Sequence, residues 1–143
     1  MTRVPFWEDR LYAAIEKHRN LPHDYVQSDC FRLMMDALEA VTGSNPYADD
    51  MNKYDSSMGA AKLMVSRGLA GIGHVIEVLG YPDIPHSKAM RGDLAILAQT
   101  ASYVLESGDK AGGVVTIGGI VAKGERGLLL VPMGPEHTYY AVR

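Results

Sequence analysis

One cysteine in 143 residues leaves no internal disulfide to form, and no Cys and His cluster stands at metal-ligand spacing, so neither a disulfide framework nor a structural metal is expected. Positive charge is not in excess. Lys and Arg number 14 against 17 Asp and Glu, a net charge of -3, which removes any general attraction to nucleic acid. Apolar runs fall far short of the roughly 18 residues that cross a bilayer. The first residues, Met1 to Asp9, turn acidic before a signal-peptide core could form, so neither membrane insertion nor a signal peptide is expected. The chain also lacks internal repeats, linkers and low-complexity tracts. It reads as a single domain over residues 1–143, synthesised in a reducing cytoplasm.

Helical spacing dominates the first half. Trp7, Leu11, Ala14, Ile15 and His18 recur at intervals of three and four, which predicts a helix from Phe6 to His18 that ends before Pro22. Asp29 is a good N-cap for a second helix, and Gly43 after Val41-Thr42 is a natural stop. Cys30, Met34, Ala37, Leu38 and Val41 form its apolar stripe, and Tyr25 and Val26 precede it as candidates to pack beneath. Ser44 to Asp55 reads as a surface connection anchored by Tyr47 and Tyr54. Ser57 is expected to cap a third helix, Met58 to Arg67, and a fourth runs from Leu69 to Leu79, weakened by Gly71 and Gly73. Gly80 to His86 reads as a proline-punctuated loop.

From Ala89 onward the period shortens towards two and β-forming residues take over. Asp93 to Gln99 suits a buried strand. Gly112 to Lys123 reads as a hairpin turning at Gly118-Gly119, Gly124 to Gly127 as a second turn, and Leu128 to Val131 and Thr138 to Val142 as further strands. Helices followed by adjacent strands argue for an α+β fold, with N-terminal helices packed on a C-terminal antiparallel sheet. The paired glycines lack the strand-to-helix context of a phosphate loop, so no cofactor is expected. Arg91-Gly92-Asp93 fits the approach to a buried strand better than an attachment motif, with Asp93 bonded to turn N–H groups.

Cys30 is the residue with the most chemistry to offer. A thiol in the first turn of a helix lies beside the positive helix end, which favours its anion and lowers its pKa. The competing reading is a small buried hydrophobe on an apolar face. His18, at the end of the first helix, is expected to be structural. His74 is expected to pack on its helix and His86 to be solvated. His23, in the loop before Cys30, and His137, beside the last strand, are the candidate bases, His137 only if its strand lies next to the first one.

Asp29-Cys30 at a helix start, followed by Gly92-Asp93-Leu94 leading into the sheet, resembles the NlpC-type superfamily of papain-like cell-wall cysteine peptidases. A closer resemblance is to NlpC-like small proteins of phage and prophage tail gene clusters. It runs through Thr42-Gly43, Tyr54, Gly59-Ala60, Arg67-Gly68, Arg91-Gly92-Asp93, the glycine-broken hairpin and Gly127-Leu128. The resemblance implies a papain-like fold with Cys30 as nucleophile. It also implies a His base on the strand after the Gly-Asp-Leu strand, yet Ala111 to Ile117 contains no histidine. Two expectations follow. One is a catalytically degenerate tail-tip or baseplate component, located in the virion tail, with hub or other tail proteins as partners. The other is a cysteine peptidase or amidase that cleaves peptidoglycan as DNA crosses the cell wall, with Cys30 as nucleophile and His137 or His23 as base.

Overall fold

The computed structural model describes residues 3–98, 111–124 and 126–143. Gln99 of the expected first strand and Glu125 of the second turn lie outside the described residues. Four helices, α1 (Trp7–His18), α2 (Cys30–Thr42), α3 (Ser57–Ser66) and α4 (Ile72–Val78), precede every strand of the sheet. Its strands are β1 (Asp83–Ile84), β2 (Leu94–Ile96), β3 (Gly112–Thr116), β4 (Gly119–Gly124), β5 (Gly127–Val131) and β6 (Thr138–Tyr140). The sheet is six-stranded, in the order β1-β6-β2-β3-β4-β5, and every neighbouring pair is antiparallel. The fold is therefore α+β, with helices first and an antiparallel sheet after.

α2 is the central helix because the signals at its two ends are honoured. Asp29 is extended, and its Oδ1 accepts from the Arg32 N–H at 2.8 Å. Gly43 closes the helix in the left-handed region at φ 86°, a conformation that glycine adopts without strain. Cys30, Leu33, Met34, Met35, Ala37, Leu38, Ala40 and Val41 are all buried, so α2 is covered over more of its circumference than the expected stripe. Leu11 and Ile15 of α1 share this core with Leu94 and Ile96 of β2, Val114 of β3 and Tyr140 of β6. Alternate residues (Ala95 and Leu97, Val115, Ile120 and Ala122, Val131, Tyr139) form a second cluster on the opposite face of the sheet.

Several boundaries differ from expectation, each for a local reason. Phe6 is not helical: it sits at φ 60° as the N-cap residue of α1. Ser56 rather than Ser57 caps α3, its Oγ accepting from the Gly59 N–H at 3.0 Å. α4 starts only at Ile72 because Gly71, at φ 153°, is outside helical space. Val26 is exposed instead of packing under α2. The β3–β4 turn is Ile117-Gly118, since Thr116 pairs with Gly119 and Gly119 already belongs to β4. β2 and β6 are three residues each, shorter than the expected strands. The proline-punctuated segment contains β1, which pairs with β6 as Asp83 with Tyr140 and Ile84 with Tyr139.

Asp93 binds the sheet to both ends of the described chain. Its buried carboxylate accepts from the N–H groups of Met90 (2.8 Å) and Val142 (2.9 Å), from Arg3 Nη2 at 3.0 Å and from Arg143 Nη1 at 2.6 Å. An attachment tripeptide needs an exposed carboxylate; this one is fully buried, as the turn-capping reading requires.

Candidate functional site

Cys30 lies in the first turn of α2, in the lining of a small, largely apolar cleft that opens to solvent. Phe31, Leu63, Met64, Ile72 and Val75 supply apolar wall, and Tyr25, Tyr47 and Tyr54 contribute rings. Phe31 packs edge-on against Tyr47 at 5.9 Å, and its ring lies 6.4 Å from that of Tyr54, so both tyrosines anchor the connection after α2.

A polar cluster supports the cysteine from one side. Asp29 uses Oδ1 for the helix cap, while its Oδ2 accepts from Tyr54 Oη at 2.6 Å and from Arg32 Nη1 at 3.0 Å. Arg32 also donates to the Met51 carbonyl and stacks over the Tyr54 ring at 4.3 Å. Every member is buried, so each charge is paired and hydrogen-bonded, the condition for tolerating charge in a core. Burial, then the Asp29 charge and its hydrogen bond, hold the Tyr54 hydroxyl above its ordinary range.

The thiol responds to this setting in the opposite sense to the one expected at a helix start. Burial pushes Cys30 up to about 12, and the Asp29 carboxylate adds to the rise. The backbone N–H groups of Gly112, Cys30 and Phe31 pull the other way and are outweighed. A partial helix charge cannot offset both desolvation and a full negative charge on the adjacent residue. At neutral pH Cys30 is a neutral thiol.

Neither candidate base is among the residues that line the cleft with it. β6 does lie beside β2, which was the condition set for His137, but the side chain shares Tyr139's side of the sheet, opposite to α2. There His137 Nδ1 accepts from the Ala98 N–H at 2.9 Å and Nε2 lies 3.1 Å from Glu136 Oε1. His23 packs edge-on against Tyr25 at 4.8 Å and is outside the cleft lining; its buried Nε2 has no partner among the described residues. On β3, where the resemblance would put the base, Gly112 directs its N–H at Cys30. A Cβ on Gly112 would collide with Met34 Sδ and lie 3.3 Å from Ile72 Cγ2. The volume for a basic side chain at that position is filled by the core.

A different histidine makes the contacts that sequence reasoning missed. His18 Nδ1 lies 2.6 Å from Ser28 Oγ and Nε2 lies 2.7 Å from Asp36 Oδ2, a Ser-His-Asp chain of hydrogen bonds. Its burial is inverted relative to a hydrolase: Ser28 is fully buried, whereas Asp36 is 19% exposed and also pairs with Lys17. A nucleophile must be reachable by substrate, so this chain is a structural tie between the end of α1 and the start of α2. Lys123 of β4 completes it by donating to the His18 carbonyl at 3.0 Å and the Leu21 carbonyl at 2.5 Å. His74 Nδ1 accepts from the Ala70 N–H at 2.9 Å, ahead of α4, and His86 is exposed. Among the described residues, no group of three His, Cys, Asp or Glu could hold a metal, and no helix is long and apolar enough to cross a membrane.

Helices packed over one face of an all-antiparallel sheet, with a buried thiol at the foot of the central helix, define an α+β domain with a cysteine-lined cleft. The chain belongs to the family described as a domain of unknown function (DUF6950), whose sequence profile matches residues 2–142. Comparison with curated proteins and with solved structures finds no match.

Proposed function

We propose that the chain is a structural component of a phage or prophage tail tip or baseplate, built on a catalytically degenerate NlpC-like, papain-like domain that binds hub or other tail proteins. The tail assignment, and with it a location in the virion, rests on the ordered resemblance from Asp29-Cys30 to Gly127-Leu128. The loss of catalysis rests on one observation: Gly112 faces the thiol where a base would be needed, and Met34 occupies the space that a side chain there would take. A cysteine without a proton acceptor, its thiol raised to about 12, is a poor nucleophile at neutral pH.

A second reading, a peptidoglycan cysteine peptidase or amidase, is favoured by Cys30 lining an open cleft. One set of variants separates the two. In particles carrying Cys30→Ala or Cys30→Ser, the structural reading expects assembly and infectivity near wild type. Normal assembly with a sharp loss of infectivity, together with muropeptide release by wild type but not by the variants, would establish the peptidase instead.

A further inference from the structure

Tyr54 and Val75 are both buried, but no residue from Asp55 to His74 between them is. The two ends of this stretch are fixed: Tyr54 Oη donates to Asp29 Oδ2 at 2.6 Å, and Val75 belongs to the main core cluster. α3 lies within it, and no other helix or strand packs closely along that helix. Among the described residues its one ion pair to the rest of the chain runs from Arg67 to Asp50, with Nη2 at 2.6 Å and Nε at 3.3 Å, and the Arg67 side chain is 43% exposed. Yet the same stretch walls the cleft that Cys30 lines. Ala60, Ala61, Leu63 and Met64 of α3 form part of that lining, together with Leu69 and Gly71, and Cys30 is only 5% exposed.

We propose that residues 55–71 form a lid, hinged at Asp55-Ser56 and at Gly68 and Gly71, which opens as a unit while the rest of the domain stays folded and so exposes Cys30 and the cleft. The glycines suit the second hinge. Gly68 stands at φ 72° and Gly71 at φ 153°, and a Cβ on either would meet nothing within 4 Å, so packing fixes neither, and glycine changes φ at little cost. At the first hinge Asp55 and Ser56 are exposed directly after the anchored Tyr54. Opening breaks little: the partly exposed ion pair and the contacts of Met64 and Leu69, which are only partly buried against the core. The lid is independent of whether Cys30 is catalytic, because it governs access to the cleft and not the chemistry within it.

Labelling of the single cysteine of the full chain by dithiodipyridine, followed by intact mass at about pH 8 and in urea below the unfolding transition, tests this. Burial pushes the covered thiol up to about 12, so the reagent counts the open form. Wild type is expected to react far more slowly than the unfolded chain, with a shallower urea dependence than global unfolding. Arg67→Ala releases the lid and is expected to speed labelling roughly two- to fivefold. Ile120→Val, in the cluster on the far side of the sheet, lowers the unfolding midpoint but is expected to leave the labelling rate unchanged. Wild-type labelling at the rate of the unfolded chain, an unchanged rate in Arg67→Ala, or acceleration in Ile120→Val matching its loss of stability would each overturn the proposal. Should Arg67→Ala fail to fold, amide exchange of wild type decides: the α3 amides follow the urea dependence of Cys30 labelling if the lid opens as a unit, and a different dependence refutes it.

Discussion

Gly112 and Met34 carry the functional argument at the scale of single residues, and their contact can be measured. Gly112→Ala forces Met34 and Ile72 to move within a close-packed core, at a cost of about 1–3 kcal/mol in urea unfolding. The same substitution in a Met34→Ala background is expected to cost less, and the coupling in a double-mutant cycle reports the shared space. Asp36 gives a pH signature. Partial burial raises its carboxyl, but hydrogen bonds from His18 and Lys17 outweigh that and hold it below the ordinary carboxylate value. A depressed folded-state value means that its contribution is complete above the unfolded value, about 3.9, and is lost as pH falls through the lowered one. Asp36→Asn is therefore expected to flatten the fall in melting temperature on acidification below about pH 4, while an unchanged acid limb would show that the bonds to Asp36 do not stabilise the fold.

Among the elements, α2 and α3 are opposites. α2 is capped at both ends and buried along most of its length, whereas α3 has no buried residue and leaves Met58 and Val65 exposed. The Arg67 guanidinium, just past the end of α3, pairs with Asp50 at 2.6 Å and links the helix to the short 3-10 helix Ala48–Asn52. Little apolar burial opposes local opening of α3, so its amides are expected to exchange by a low-energy opening while those of α2 exchange only on global unfolding. Arg67→Ala should accelerate α3 exchange selectively. The elements also show where sequence signals suffice. Caps such as Asp29 and Gly43 act within a turn or two of the residues they bond, so the span of α2 was legible. β1 was not, because a two-residue strand has no period to detect and exists only through its pairing with β6.

For the molecule as a whole, Asp93 joins distant parts of the chain. Arg3, Arg143, Met90 and Val142 converge on one buried carboxylate. Asp93→Ala leaves Arg3 and two N–H groups without their acceptor and is expected to cost about 3–5 kcal/mol, read as a lower denaturation midpoint with cooperative unfolding retained. Removal of Arg143 alone should cost much less, since its side chain is 32% exposed and Arg3 still pairs with Asp93.

By itself the sequence determined the order of the four helices and of strands β2 to β6, the α+β class, the placement of Cys30 in the first turn of α2, and the absence of a histidine from the β3 region. These follow from local physics: side-chain periodicity, capping within one turn, and residue identity. Only the tertiary structure decided the chemistry of the thiol and the fate of the histidines. Strand order seats β6 against β2, yet the alternation of side chains across the sheet turns His137 to the face away from α2. Burial and the neighbouring Asp29 charge reverse the helix-end effect on Cys30, because desolvation depends on everything packed around the sulfur. His18, Ser28 and Asp36 come from three separate segments, and nothing in their spacing announces their hydrogen bonds, which exist because α1 lies across α2.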